Sequence, residues 1–193
     1  MEKGTIGRLL DYYFENPEFE GEIKRAFEEF FSIKNLQRNQ EIEASERERA
    51  FFHEWFVYNF HLNNNKTPIE DFPERNPSNW SENRLRVYQH LQENEYGILE
   101  VLGVQRGEGL RLRNLNTKRI FDVKEYTAAL ELFGGELFFG RIGSLGDHYE
   151  LVGADPIMLP REVKEELMTN ELVDMELNPK VVRDLFLVAG IRI

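Results

Sequence analysis

Three groups of residues in this 193-residue chain have types and spacings that could do chemistry. The first is Asp147-His148, directly after Gly146, because an aspartate beside a histidine can orient a general base. Neighbours on a strand point to opposite faces, however, so sequence geometry opposes a hydrogen-bonded dyad there. No G-x-S-x-G run supplies a nucleophile, and Asp147 reads first as a turn residue. The second group is His53-Glu54, which opens like a metalloprotease helix but has Val57 where the second histidine belongs. His61, eight residues on, would sit two turns away on the same helix, too far for the two to hold one metal without another ligand between them. The third group is basic: Arg111, Arg113, Lys118, Arg119, Lys124 and Arg141. Arg111 and Arg113 share the outward face of one strand, with Lys118 and Arg119 at the turn that follows. Such a strip can track single-stranded nucleic acid when aromatic side chains stack the bases. Here Glu100, Glu108, Asp122 and Glu125 lie close by, and Phe121 beside Val123 reads as inward.

Other motifs lead nowhere. Gly107-Glu108-Gly109 has Leu112 where a dinucleotide fingerprint needs its third glycine, and no phosphate loop ending in Gly-Lys-Ser or Gly-Lys-Thr occurs. Asn79-Trp80-Ser81 matches a glycosylation sequon that a cytoplasmic protein never presents to the machinery. The absence of cysteine excludes disulfides, thiolate metal sites and cysteine nucleophiles, and no cofactor or metal is expected.

The candidate residues near the chain centre need a scaffold, and residues 96–153 provide its pattern. Ten of the fourteen glycines fall there, between short runs rich in Ile, Leu, Val and Phe, as expected of brief strands joined by tight turns. Strands are predicted near 97–104, 109–115, 119–125, 136–145 and 148–153, closing into a small five-stranded antiparallel β-barrel of SH3-like or OB-like type. Leu110 and Leu112 read as inward, Arg111 and Arg113 as outward.

Helices flank the strands. Ile6, Leu9, Leu10, Tyr13 and Phe14 recur at helical spacing until Asn16-Pro17 stops them, and Phe19, Ile23, Ala26, Phe27, Phe30 and Phe31 share one face of a second helix. Ser45 with Glu48 predicts a capping box, opening a strongly aromatic helix through Trp55 to Leu62 that must be buried on most sides. Thr67-Pro68 with Glu70 opens a short helix ended by Pro73 and Pro77, and Ser78 or Asn79 caps the next, through Tyr88 to about Asn94. Beyond Pro156 two helices are predicted, one from Pro160 through Val163 and Leu167, the other from Asn178-Pro179 to Gly190. The domain expectation is a helical domain over 1–95, a small β-barrel over 96–155, and C-terminal helices over 156–193 packing on the rest.

Composition bounds the function. A content of 41% hydrophobic residues suffices for a core, and no apolar run is long enough for a signal peptide or a membrane span, so a cytoplasmic protein with no membrane partner is expected. The net charge is −11, with −7 carried by residues 1–95 and −2 by residues 96–155. That field repels a phosphate backbone unless a local basic patch overcomes it.

Several fragments together resemble a known pattern: His53-Glu54-Trp55-Phe56, Lys66-Thr67-Pro68-Ile69-Glu70-Asp71-Phe72, Tyr96-Gly97-Ile98-Leu99-Glu100-Val101, Gly107-Glu108-Gly109-Leu110 and Gly146-Asp147-His148-Tyr149. In order and spacing, over roughly residues 51–160, they resemble a group of uncharacterised bacterial proteins that often carry a zinc-binding SEC-C motif at the C-terminus. The resemblance implies a helical domain followed by a small barrel and no established activity. This chain lacks the cysteines, so the zinc does not carry over.

The sequence therefore points to an α+β protein acting as a non-enzymatic protein-interaction module. The alternative is RNA or single-stranded DNA binding through Arg111, Arg113, Lys118 and Arg119, and the third reading is a hydrolase using Asp147 and His148.

Overall fold

A computed structural model describes residues 4–37, 40, 42–160 and 174–190. It is a mixed α+β structure whose chain divides into two compact units, residues 1–92 with 179–193 and residues 93–178.

The first unit is helical, with α1 (Thr5–Glu15), a 3-10 turn (Pro17–Phe19), α2 (Glu20–Phe31), α3 (Glu46–Tyr58), α4 (Pro68–Arg75), α5 (Glu82–His90) and α7 (Pro179–Val188). Helix α3 begins where the sequence says it should. Ser45 Oγ accepts from the Glu48 N–H at 3.0 Å, and the Glu48 carboxylate accepts from the Ser45 N–H at 3.0 Å. Its seven buried residues include Phe52, Trp55 and Phe56, and Phe27 of α2 stacks on Phe52 with ring centroids 4.3 Å apart. Arg183 of α7 reaches into this core, its guanidinium over the Phe30 ring and donating to the Phe30 carbonyl at 3.2 Å.

Three expected boundaries move. Helix α3 stops at Tyr58, not Leu62. Phe60 and Leu62 are buried in an irregular segment, with Arg25 stacking on Phe60 and bonding the His61 carbonyl at 2.7 Å, so apolar content there reports burial rather than helix. Pro73 does not end α4, which runs on to Arg75 because the Asn76 N–H still reaches the Phe72 carbonyl and an Asp71–Arg75 ion pair spans the proline. The cap of α5 is Ser81 rather than Ser78 or Asn79, since Asn79 occupies a left-handed turn at φ 51°.

The second unit holds β1 (Asn94–Gln105), β2 (Gly109–Asn114), β3 (Ile120–Lys124), α6 (Ala128–Glu131), β4 (Leu137–Ser144) and β5 (Tyr149–Leu159). The strands hydrogen-bond in the closed order β1-β2-β3-β5-β4. Antiparallel pairing holds everywhere except between β3 and β5, which correct that expectation: they run parallel and join through a single register pair, Val123 with Tyr149. The reason is topological, because placing β5 between β3 and β4 forces one like-directed neighbour in a five-membered ring. Bulges at Val101/Gly103 and Phe139/Arg141 bend the two long strands.

Alternation sets the core. Leu110, Leu112, Phe121 and Val123 are buried, and Ala129 and Leu132 of the α6 segment join the same cluster. The strands reach beyond 96–155 at both ends, and β5 continues through Leu159 where a helical tail was expected. The helix predicted through Val163 and Leu167 lies outside the described residues, whereas the one from Pro179 is α7. Among the described residues no helix is long and apolar enough to cross a membrane.

Candidate functional site

Strands β2 and β3, the β1–β2 turn and the β4–β5 turn enclose a groove of about 930 Å³. Four residues singled out from the sequence line it, namely Arg111, Lys124, Asp147 and His148, whereas Arg113, Lys118, Arg119 and Arg141 do not.

Arg113 turns away onto Glu100. Its Nε donates to Oε2 at 2.9 Å, its Nη2 bonds the same oxygen, and the carboxylate is buried. Lys118 sits at φ 63° in the β2–β3 turn and donates from Nζ to the Leu115 carbonyl at 2.6 Å. Arg119 lies over the Phe121 ring at 4.9 Å and pairs with Glu95, which also accepts from Thr117 Oγ1 at 2.7 Å. Of these cations Arg111 and Lys124 face the groove, and Asp122 Oδ1 pairs with Arg111 Nε at 3.8 Å. Both members of that pair are well exposed, so water screens it and it adds little to stability.

Asp147 and His148 do meet, contrary to the strand argument. Residues 145–148 form a turn, with Gly146 at φ 96°, and β5 begins only at Tyr149, so alternation does not apply to them. His148 Nδ1 lies 2.6 Å from Asp147 Oδ1, and its Nε2 lies 3.0 Å from Glu150 Oε1. The hydrogen bond from His148 holds the Asp147 carboxyl below its ordinary pKa. Carboxylate oxygens lie against both ring nitrogens of His148, so a general base there must give up one of these contacts to reach a nucleophile. Among the described residues no group of three or more His, Asp or Glu side chains could hold a metal ion. His53 is half-buried between the Phe14 and Phe52 rings, with burial and then Arg49 pushing its pKa down, and His61 lies beyond the end of α3.

Ile120, Tyr149 and Glu93 also line the groove, and no charged or catalytic motif in the sequence marks them. Ile120 is 50% exposed at the start of β3, Tyr149 stacks edge-on against Phe121 at 5.1 Å and donates to Glu93 at 2.8 Å, and Glu93, Glu108 and Lys124 complete the rim. Alternation would have found Ile120, because inward Phe121 and Val123 place Ile120, Asp122 and Lys124 outward. The charged lining is Glu93, Glu108, Asp122 and Asp147 against Arg111 and Lys124. Carboxylates outnumber cations two to one.

Comparison with protein-family models, curated proteins and solved structures finds no match to this chain, so the likeness to the SEC-C-associated bacterial group rests on the quoted sequence fragments alone.

Proposed function

We propose that this protein is a non-enzymatic interaction module, and that the groove over β2 and β3 takes an extended segment of another protein. The observation that carries the reading is the groove's charge, with four carboxylates against two cations, a lining that repels a phosphate backbone and suits a basic polypeptide. Two further features support it. Ile120 offers an exposed apolar contact at the start of β3, and β3 meets β5 through one register pair only, which leaves it close to an edge strand in character.

The strand order argues for an OB-like rather than an SH3-like closure. Neighbours 3-5-4 require a crossover of Greek-key kind, and a short helix sits between β3 and β4. OB-folds use the face of strands 2 and 3 with the β1–β2 and β4–β5 loops as their binding surface, the same elements that line this groove. Nucleic acid is the alternative occupant of such a face, and Arg111 and Lys124 are the residues that would serve it.

Affinity capture from native extract, with and without nuclease, tests the proposal when wild type is run beside Ile120→Lys. A protein partner that survives nuclease and is lost with Ile120→Lys is the expected result. Recovery that vanishes on nuclease treatment contradicts it.

A further inference from the structure

Exposed apolar side chains scattered singly are ordinary, but three of the large ones in this chain gather within eight residues. Tyr126 is 66% exposed, Leu130 46% and Phe133 52%, and all three border the β1–β2 turn. The turn itself shapes the cluster. Gly107 adopts φ 71°, and a Cβ there would stand 3.3 Å from the Tyr126 ring and 3.9 Å from Leu130 Cδ2, so the bare backbone forms the floor between them. Arg106 fixes the far side, its guanidinium 4.8 Å from the Phe133 ring centre and donating to the Leu130 carbonyl.

The fold does not require these three side chains. The opposite side of the α6 segment, Ala129 and Leu132, already closes the hydrophobic cluster, so Leu130 and Phe133 face outward as surplus. Charge around the cluster is anionic. Glu125 is engaged with the Thr127 N–H at 3.0 Å and Glu136 with the Phe133 N–H at 2.8 Å, whereas Glu108 and Glu131 have no ion-pair partner among the described residues. Arg106, at the edge of the cluster, is already held by the Leu130 carbonyl and the Phe133 ring.

We infer that Tyr126, Leu130 and Phe133 form a docking platform for a basic segment of a partner protein, with apolar side chains on the platform and lysines or arginines on Glu108 and Glu131. The inference rests on the interaction reading above and extends it, because Glu108 also borders the β2–β3 groove and makes the two surfaces continuous. Like charge on the rim disfavours a second copy of the chain, and an anionic membrane or nucleic acid is repelled for the same reason.

The test uses the full chain and a fluorescent synthetic peptide of leucines and lysines, titrated by anisotropy against four proteins: wild type, Leu130→Ser/Phe133→Ser, Glu108→Gln/Glu131→Gln and Ile120→Lys. Thermal melts confirm that each variant folds, as expected for exposed positions. The platform predicts that both double variants weaken binding at least about tenfold, and that a peptide with glutamate in place of lysine does not bind. Wild-type affinity in the Leu130→Ser/Phe133→Ser variant overturns the platform, as does a failure of wild type to bind the leucine-lysine peptide. A wild-type dimer that this variant converts to monomer overturns it too, since a second copy would then be the occupant. Loss in Ile120→Lys alone leaves the groove reading standing and the platform refuted. Loss in the platform variants alone does the reverse.

Discussion

Arg113 Nε lies 2.9 Å from Oε2 of Glu100, and that carboxylate is buried while the arginine is half-exposed. The pair makes Arg113 a structural residue rather than a free cation on the β2 face. Arg113→Ala removes a charge-assisted hydrogen bond from a buried carboxylate and is expected to cost roughly 1.5–3 kcal/mol in urea unfolding. Arg111→Ala, from an exposed pair, is expected to change stability by less than about 0.5 kcal/mol. Equal effects would mean that Arg113 does not hold Glu100.

Gly109 is fixed by a close approach of backbone. A Cβ built there falls 2.4 Å from the Val123 carbonyl oxygen, which belongs to the β2–β3 ladder and has no flexible end to yield. Gly109→Ala is expected to lower stability by roughly 2–3 kcal/mol through forced displacement of the strands. A melt within a degree of wild type would contradict the register.

Much of this was legible in the sequence, and the exceptions have physical causes. Alternation in Leu110–Arg113 and the capping box at Ser45 are local signals, and the structure keeps both. Helix α6 spans only four residues, less than a period and a half, so no periodicity announces it. The Asp147–His148 contact is not legible by alternation because β5 begins only at Tyr149, one residue after the sequence pattern predicts, which leaves both residues in a turn. The neutralising partners of Arg113 and Arg119 come from β1, thirteen and twenty-four residues distant, and spacing along the chain carries no trace of them.

Trp55 is 3% exposed at the centre of the helical unit, packed against Phe30 and Phe60 at 5.4 Å. Trp55→Ala is expected to destabilise by roughly 3–5 kcal/mol, as large-to-small core changes do. A loss under about 1 kcal/mol in thermal melts would show the aromatic helix to be presented to a partner instead.

Tyr13 donates to buried Asp71 at 2.7 Å, and its pKa is raised first by burial and then by that carboxylate. The folded state therefore holds the phenol proton more tightly than the unfolded state. Its stabilising contribution is complete below the ordinary tyrosine value of 10.0 and is lost progressively as pH rises above it. Phenolate absorbance should show one tyrosine ionising only with alkaline unfolding, and Tyr13→Phe should remove that step. A tyrosine count that titrates fully before unfolding would refute the buried contact.

Asp147 is depressed by its hydrogen bond from His148, so NMR titration should find its carboxyl below the ordinary 3.8, returning toward it in His148→Phe. Whatever that contact adds to stability is present above the ordinary value and lost as pH falls through the depressed one. An unchanged Asp147 titration in His148→Phe would remove the contact.

The choice between a polypeptide and a nucleic acid in the β2–β3 groove is decided most directly by one titration. Labelled single-stranded RNA and DNA and the leucine-lysine peptide are titrated at low salt against wild type and against Arg111→Glu/Lys124→Glu, which removes both groove cations and leaves the Arg113–Glu100 pair intact. The account predicts peptide binding that the double variant preserves or strengthens, and no nucleic-acid binding tighter than about 100 μM, the weak end of non-specific affinity. Micromolar binding of RNA or DNA that falls steeply with salt and disappears in the double variant would contradict it.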